Sequence, residues 1–189
     1  MKIRRALPAE MAEVGDIRIA AYVRGGFLSA DSGYVPTLRG LGAEGDGEVF
    51  VATEPGVASG QHSQAAVAGQ ADQAEQQDER IVGTIMLQPW PHAGEAVTRP
   101  DEAEIRALAV RPEVQGQGVG KHLLQHLLRR AAELRIGHLV LCTEPQMRAA
   151  HHLYEQAGFV RLPERDWSPV PGTTLLVYGL RMNGIAPAG

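Results

Sequence analysis

The apolar positions of this chain change period several times, and the changes mark its elements. Ile105 to Val110 is a short, mostly apolar run closed by Arg111-Pro112, the pattern of a strand covered on both faces. Pro112 lacks the N–H that a ladder needs, so the strand is expected to stop there. Gly116, Gly118 and Gly120 then alternate, and Val119, Leu123, Leu124, Leu127, Leu128, Ala131 and Leu134 recur at helical spacing. That pattern predicts a helix opening straight out of a glycine-rich turn and ending with Gly137 as its left-handed cap. Leu139 to Cys142 reads as the next strand. Met147, Ala150, Leu153, Tyr154 and Ala157 mark one side of a second helix, begun by Glu144-Pro145 and stopped by Gly158-Phe159.

Toward the N-terminus, Lys2 to Ala6 reads as a strand and Pro8 as the start of a helix reaching Arg24, with Met11, Val14, Ile17, Ala21 and Tyr22 on one face. Gly25-Gly26 stops it. A short helix is expected around Pro36 to Leu41, and the β-rich runs Glu48 to Thr53 and Arg80 to Leu87 read as hairpin partners. Between these two runs the span 55–79 is dense in Ala, Gln and Gly and nearly free of aliphatic side chains, so it reads as a flexible insertion. As a functional segment it would serve as a lid over a bound molecule or as a contact in a homodimer. Phe159 to Leu162 and Thr173 to Met182 supply the last strands, with a Pro-rich loop between them and a loose tail from Asn183.

Composition narrows the class. A chain of 189 residues, 44% hydrophobic and 21% charged, can bury one full core, so a single domain over 1–189 is expected. The net charge of −4 leaves no overall basic footprint for nucleic acid or an anionic membrane, although a local groove for one anion stays open. With Cys142 as the single cysteine, an intramolecular disulfide and a multi-cysteine metal site are excluded. No apolar run of signal-peptide length follows Met1-Lys2-Ile3-Arg4-Arg5, and nowhere do 18 apolar residues occur together. The expectation is a soluble, cytoplasmic protein with no metal.

The turn carries the most specific chemistry. A glycine-rich turn at a helix start leaves backbone N–H groups pointing outward at the positive end of the dipole, a seat for phosphate or diphosphate. A P-loop would follow Gly120-Lys121 with a hydroxyl, but His122 stands there. A dinucleotide fingerprint spaces its glycines Gly-x-Gly-x-x-Gly, but here they run Gly-x-Gly-x-Gly. What remains, Gln115-x-x-Gly118-x-Gly120 after Leu-Ala-Val-x-Pro, resembles the acyl-CoA-binding motif of the GNAT superfamily of N-acyltransferases. The run Ala150-x-x-Leu153-Tyr154-x-x-x-Gly158-Phe159 resembles that superfamily's second signature, in the family's order.

The resemblance implies an α/β (mixed α+β) fold: a twisted, mostly antiparallel sheet of about seven strands with about four helices, splayed between the fourth and fifth strands. It implies pantetheine contacts at Leu108, Ala109 and Val110. It also implies diphosphate contacts at Gln115, Gly116, Gln117, Gly118, Val119, Gly120 and Lys121. Tyr154 would sit beside the CoA sulfur and protonate or hydrogen-bond the leaving thiolate. Glu104, just ahead of the apolar part of its strand, would draw a proton from the acceptor, through water because a carboxylate is a poor direct base for an ammonium group. Phe27, Asp31, Tyr34 and Trp167 are candidate acceptor contacts. One position departs from the family pattern: Met147 stands where many members have a CoA-contacting Asn. The implied activity is acetyl-CoA-dependent acetylation of a primary amine, on a small molecule or a peptide. The alternative is a non-catalytic acyl-CoA sensor or partner-binding domain.

Overall fold

A computed structural model describes residues 1–56 and 79–182. Its strands are β1 (Lys2–Arg5), β2 (Glu48–Pro55), β3 (Glu79–Pro89), β4 (Glu102–Val110), β5 (His138–Thr143), β6 (Val160–Arg161), β7 (Trp167–Val170) and β8 (Thr173–Arg181). Its helices are α1 (Met11–Arg24), α2 (Val35–Gly40), α3 (Val119–Glu133) and α4 (Arg148–Gln156). The sheet runs β1-β2-β3-β4-β5-β8-β6, with β7 on β8. Among the described residues every pairing is antiparallel except β4 with β5, so the mixed, mostly antiparallel fold is as expected, with eight strands there rather than about seven.

The hairpin of β2 and β3 forms, and it takes in more chain than periodicity indicated: Glu54 pairs with Arg80 and Pro55 with Glu79. The ends of the expected insertion are therefore strand, and residues 57–78 lie outside the described residues. Lys2 and Arg4 both bind the Glu79 carboxylate, at 3.4 and 3.3 Å, which ties β1 to the start of β3.

The sheet buries both faces. On one, Leu123, Leu124, Leu127 and Ala131 of α3 pack with Phe50, Val82, Ile85, Ile105, Leu139 and Leu141. On the other, Val14, Ile17 and Ala21 of α1 pack with Leu38, Val49, Val51, Ile81, Met86 and Ala109. Arg18 is fully buried within this second layer, where Nη1 donates to the carbonyl of Leu41 at 2.7 Å and locks α1 to the end of α2. Burial pushes its pKa down to about 10.

Three local expectations are corrected. α3 ends in a Schellman turn at Arg135 (φ 57), whose N–H reaches Ala132 while that of Ile136 reaches Ala131; Gly137 is engaged elsewhere, donating to the carbonyl of Asp101. α4 begins at Arg148, because Glu144 to Met147 is held as a turn by the Met147 N–H on the Glu144 carbonyl. The Pro-rich loop contains the edge strand β7.

Candidate functional site

The site is made by a parallel pair that stops early. β4 and β5 are in register from Glu102↔His138 to Ile105↔Leu141, and no further. Beyond that point the register of β4 on β3 steps from Met86↔Arg106 to Thr84↔Ala109, leaving Ala107 and Leu108 opposite Ile85 alone. This is a bulge, and it places Ala107 at φ 50, a left-handed backbone that an alanine adopts only under constraint. The strands part there. A cavity of about 630 Å³ fills the gap, walled by β4, the turn into α3, the end of α1, the end of β5 and one side of α4.

The turn supplies unpaired donors. Gly116 and Gly118 take φ 80 and 83, and a Cβ at Gly116 would meet no neighbour, so backbone conformation rather than crowding requires glycine there. The N–H groups of Gln115, Gly116, Gly118, Val119, Gly120 and Lys121 find no acceptor among the described residues. His122 N–H is the first in the helix to close on a carbonyl, that of Gly118 at 3.1 Å. Gln117 differs: its N–H donates to the Val114 carbonyl at 3.4 Å, and it is not in the cavity wall. The side chain of Gln115 donates to the Val110 carbonyl at 3.1 Å, so it ties the strand end to the turn. Gln115, Gly116, Gly118, Val119, Gly120, Lys121, Leu108, Ala109 and Val110 all line the cavity.

Tyr154 also lines it, 7% exposed, packed against Phe159 and Tyr178 with ring centroids 6.0 and 6.4 Å away. Its hydroxyl has no hydrogen-bond partner among the described residues, and burial pushes its pKa up. Glu104 stands apart from the wall. Its carboxylate accepts the Gly94 N–H at 2.8 Å, lies 3.7 Å from Arg106 Nε and adjoins the Cys142 thiol; burial outweighs these partners and raises its pKa. Cys142 is the group in the wall at this point, with its own pKa pushed up to about 11 by burial and its sulfur accepting Trp167 Nε1–H at 3.4 Å. Trp167 therefore backs Cys142 rather than lining the cavity.

Of the expected acceptor contacts, Phe27 lines the cavity, and Asp31 and Tyr34 do not. Sequence reasoning missed Tyr22, read as core but lining the cavity, with a pKa pushed to about 12 by burial and the neighbouring Tyr34. Its place one residue beyond the buried Ala21 and just ahead of Gly25-Gly26 was the available signal. Met147 lines the cavity where the family pattern has Asn, without a cap hydrogen bond to α4.

A family model described as the acetyltransferase (GNAT) family matches residues 56–159, more than half of the chain. The Escherichia coli K12 ribosomal protein bS18-alanine N-acetyltransferase is 35% identical over 88 residues, covering 46% of this chain and 60% of that relative. The match thus spans less than two thirds of the relative's length. Among solved structures, a GNAT-family acetyltransferase from Staphylococcus aureus Mu50 superposes with TM-score 0.67 at 16% identity, covering 96% of this chain and 98% of that one. A protein described as an acetyltransferase from Salmonella typhimurium, solved with its cofactor acetyl-CoA, superposes with TM-score 0.59 at 18% identity, covering all of this chain and 98% of that one.

Proposed function

Because the chain belongs to the GNAT acetyltransferase family, we propose that it transfers the acetyl group of acetyl-CoA to a primary amine by direct attack in a ternary complex. The observation that carries this reading is the run of unpaired N–H groups from Gly118 to Lys121, which converges on the same cavity as the open edge of β4 and the unpartnered Tyr154 hydroxyl. The Salmonella neighbour of the same fold holds acetyl-CoA, and the residues here suit that molecule. The turn offers donors and a helix dipole to a diphosphate, and β4 beyond Ile105 offers a backbone edge to an amide-containing arm.

The thioester supplies an acyl group activated toward amines. In this reading the separated strands bring donor and amine together and hold out water, which is worth more than any one catalytic group. Tyr154 keeps its proton at neutral pH, and because burial raises its pKa further above that of a thiol, its role is to hydrogen-bond the departing sulfur as negative charge develops there. Glu104 acts as the base from beneath the cavity floor, its raised pKa bringing it nearer to neutral, with water carrying the proton past Cys142. Leu108, Ala109 and Val110 hold the arm, and Gln115, Gly116, Gly118, Val119, Gly120 and Lys121 hold the diphosphate. Gln117 is the weakest of the proposed contacts, since its N–H is engaged within the turn.

One relative's name includes acetylation of a ribosomal-protein alanine, which supports a primary amine on a small molecule or a peptide as the acceptor. Among the described residues no helix is long and apolar enough to cross a membrane, and we place the protein in the cytoplasm on its composition. The test follows free thiol released from acetyl-CoA against a panel of amines. Release that depends on one amine class establishes the transferase, while tight CoA binding with no release from any amine favours the sensor.

A further inference from the structure

We propose that His152 forms the second wall of the phosphate seat and donates a hydrogen bond to a phosphate group of the acyl carrier. This contact rests on acetyl-CoA being the donor.

The placement comes from how α3 meets α4. A Cβ built at Gly120 would lie 3.6 Å from Leu153 Cδ2, so the first turn of α3 rests against the middle of α4. Around that contact α4 turns Ala149, His152, Leu153 and Gln156 into the cavity, facing the turn that carries the unpaired N–H groups. His152, next in the chain to the Leu153 that meets Gly120, lines the same cavity as those groups, and we place it within reach of an anion seated on them. Lys121 is the one Lys, Arg, Asp or Glu among the described residues of the wall, so the imidazole meets no competing carboxylate there.

The ring has one nitrogen engaged and one open. Gln156 Nε2 lies 2.8 Å from His152 Nε2, an amide-to-imidazole contact in which the amide N–H is the donor. With the amide in this orientation a neutral imidazole carries its proton on Nδ1, which has no partner among the described residues. Its neighbour His151 is differently engaged: Nε2 lies 3.0 Å from the Glu144 carbonyl and the ring sits 5.6 Å from that of Tyr178. With Met147 in place of the family's Asn, His152 gives α4 a polar contact with the carrier that Met147 does not.

Two phosphate positions on CoA share this chemistry, the diphosphate and the 3′-phosphate, and two ligands separate them. CoA and dephospho-CoA, which lacks the 3′-phosphate, are titrated into wild type, His152→Ala and His152→Gln, with thermal melts confirming that each folds. His152→Ala is expected to weaken CoA binding about fivefold or more, and His152→Gln, which keeps an N–H donor, to retain most of the affinity. An equal loss for dephospho-CoA assigns the contact to the diphosphate; a loss confined to CoA assigns it to the 3′-phosphate. If His152→Ala binds both ligands within about twofold of wild type, as an uninvolved surface residue would, the contact is overturned. Wild type that binds neither ligand overturns the donor assignment, and the contact falls with it.

Discussion

The two ends of the β4–β5 pair are built on opposite principles. At the lower end four residues of each strand are in parallel register, and the first pair, Glu102 with His138, is also joined through side chains at 2.9 Å. The Glu102 carboxylate is fully buried and accepts from Thr98 N–H at 2.8 Å, Arg99 Nη2 at 3.0 Å and Arg165 Nη1 at 2.9 Å, gathering three segments onto one anion. Burial alone would raise its pKa, but the bonds from His138, Thr98 and Arg165 prevail and hold it at about 2. At the upper end the same strands share no register, Ala107 is left-handed, and the donors of the adjoining turn are unpaired. Saturated polar groups fix the closed end, and unsatisfied ones define the open end. A site that must admit a long polar ligand needs both, since the gap keeps its shape only if its base cannot slide.

Breaking the base should give the largest effect. Glu102→Ala leaves the Thr98 N–H and His138 unpaired in a buried site and takes the counter-charge from the part-exposed Arg165 and Arg99, and we expect a loss of about 3 kcal/mol in urea unfolding. An acid titration reads the same group without mutation. Because the folded pKa lies below the unfolded value of about 4.5, the contribution of Glu102 is complete above pH 4.5 and is lost as pH falls toward 2. In Glu102→Gln that part of the acid dependence should vanish. Breaking the open end should spare stability more and binding less: Gly118→Glu puts a side chain at φ 83 and a negative charge at the anion seat, and should weaken CoA binding more than about 100-fold, or about 2.7 kcal/mol. A normal CoA titration for this variant would remove the diphosphate from the turn.

Much of this contrast is legible in the chain, and the part that is not has a physical reason. The strand, turn and helix from Glu102 to Glu133 announce themselves because apolar period, proline and glycine change together within a few residues. Tyr154 is legible for the same reason, on a helix with one apolar side ended by Gly158. The bulge at Ala107 is invisible, since no glycine marks a position whose conformation is imposed by the pairing of β3 and β4. Gly137 misleads in the opposite direction: it resembles a helix cap but is used across the chain by Asp101, while Arg135 takes the left-handed place. The apolar pattern singles out neither Glu102 nor Arg18, and it puts Tyr22 on the buried face of its helix. Only tertiary packing makes them a hub, a lock between helices and a cavity wall.

Tyr154→Phe tests the chemistry at the open end. It removes one oxygen from a wall position and should lower kcat about tenfold or more, near 1.4 kcal/mol, with CoA affinity almost unchanged. Steady-state and binding measurements made on one preparation decide it, and an unaltered kcat would remove the phenol from the reaction.

The smallest stability effect should come from Ala107→Gly, and it separates shape from stability. A left-handed alanine costs about 1–2 kcal/mol, which glycine would relieve, but glycine loses about 0.5–1 kcal/mol more conformational entropy on folding. The difference leaves glycine ahead by no more than about 1.5 kcal/mol, reduced further by the lost methyl packing, so the unfolding free energy should change little. The site should respond differently. With alanine, the bulge is held by the packing of its methyl group against the α1 layer; with glycine the same backbone has no such anchor and can relax toward regular pairing. The KM for acetyl-CoA should therefore rise while the thermal midpoint barely changes. A variant that kept its KM would show that the separation of β4 from β5 is set by the charged base alone.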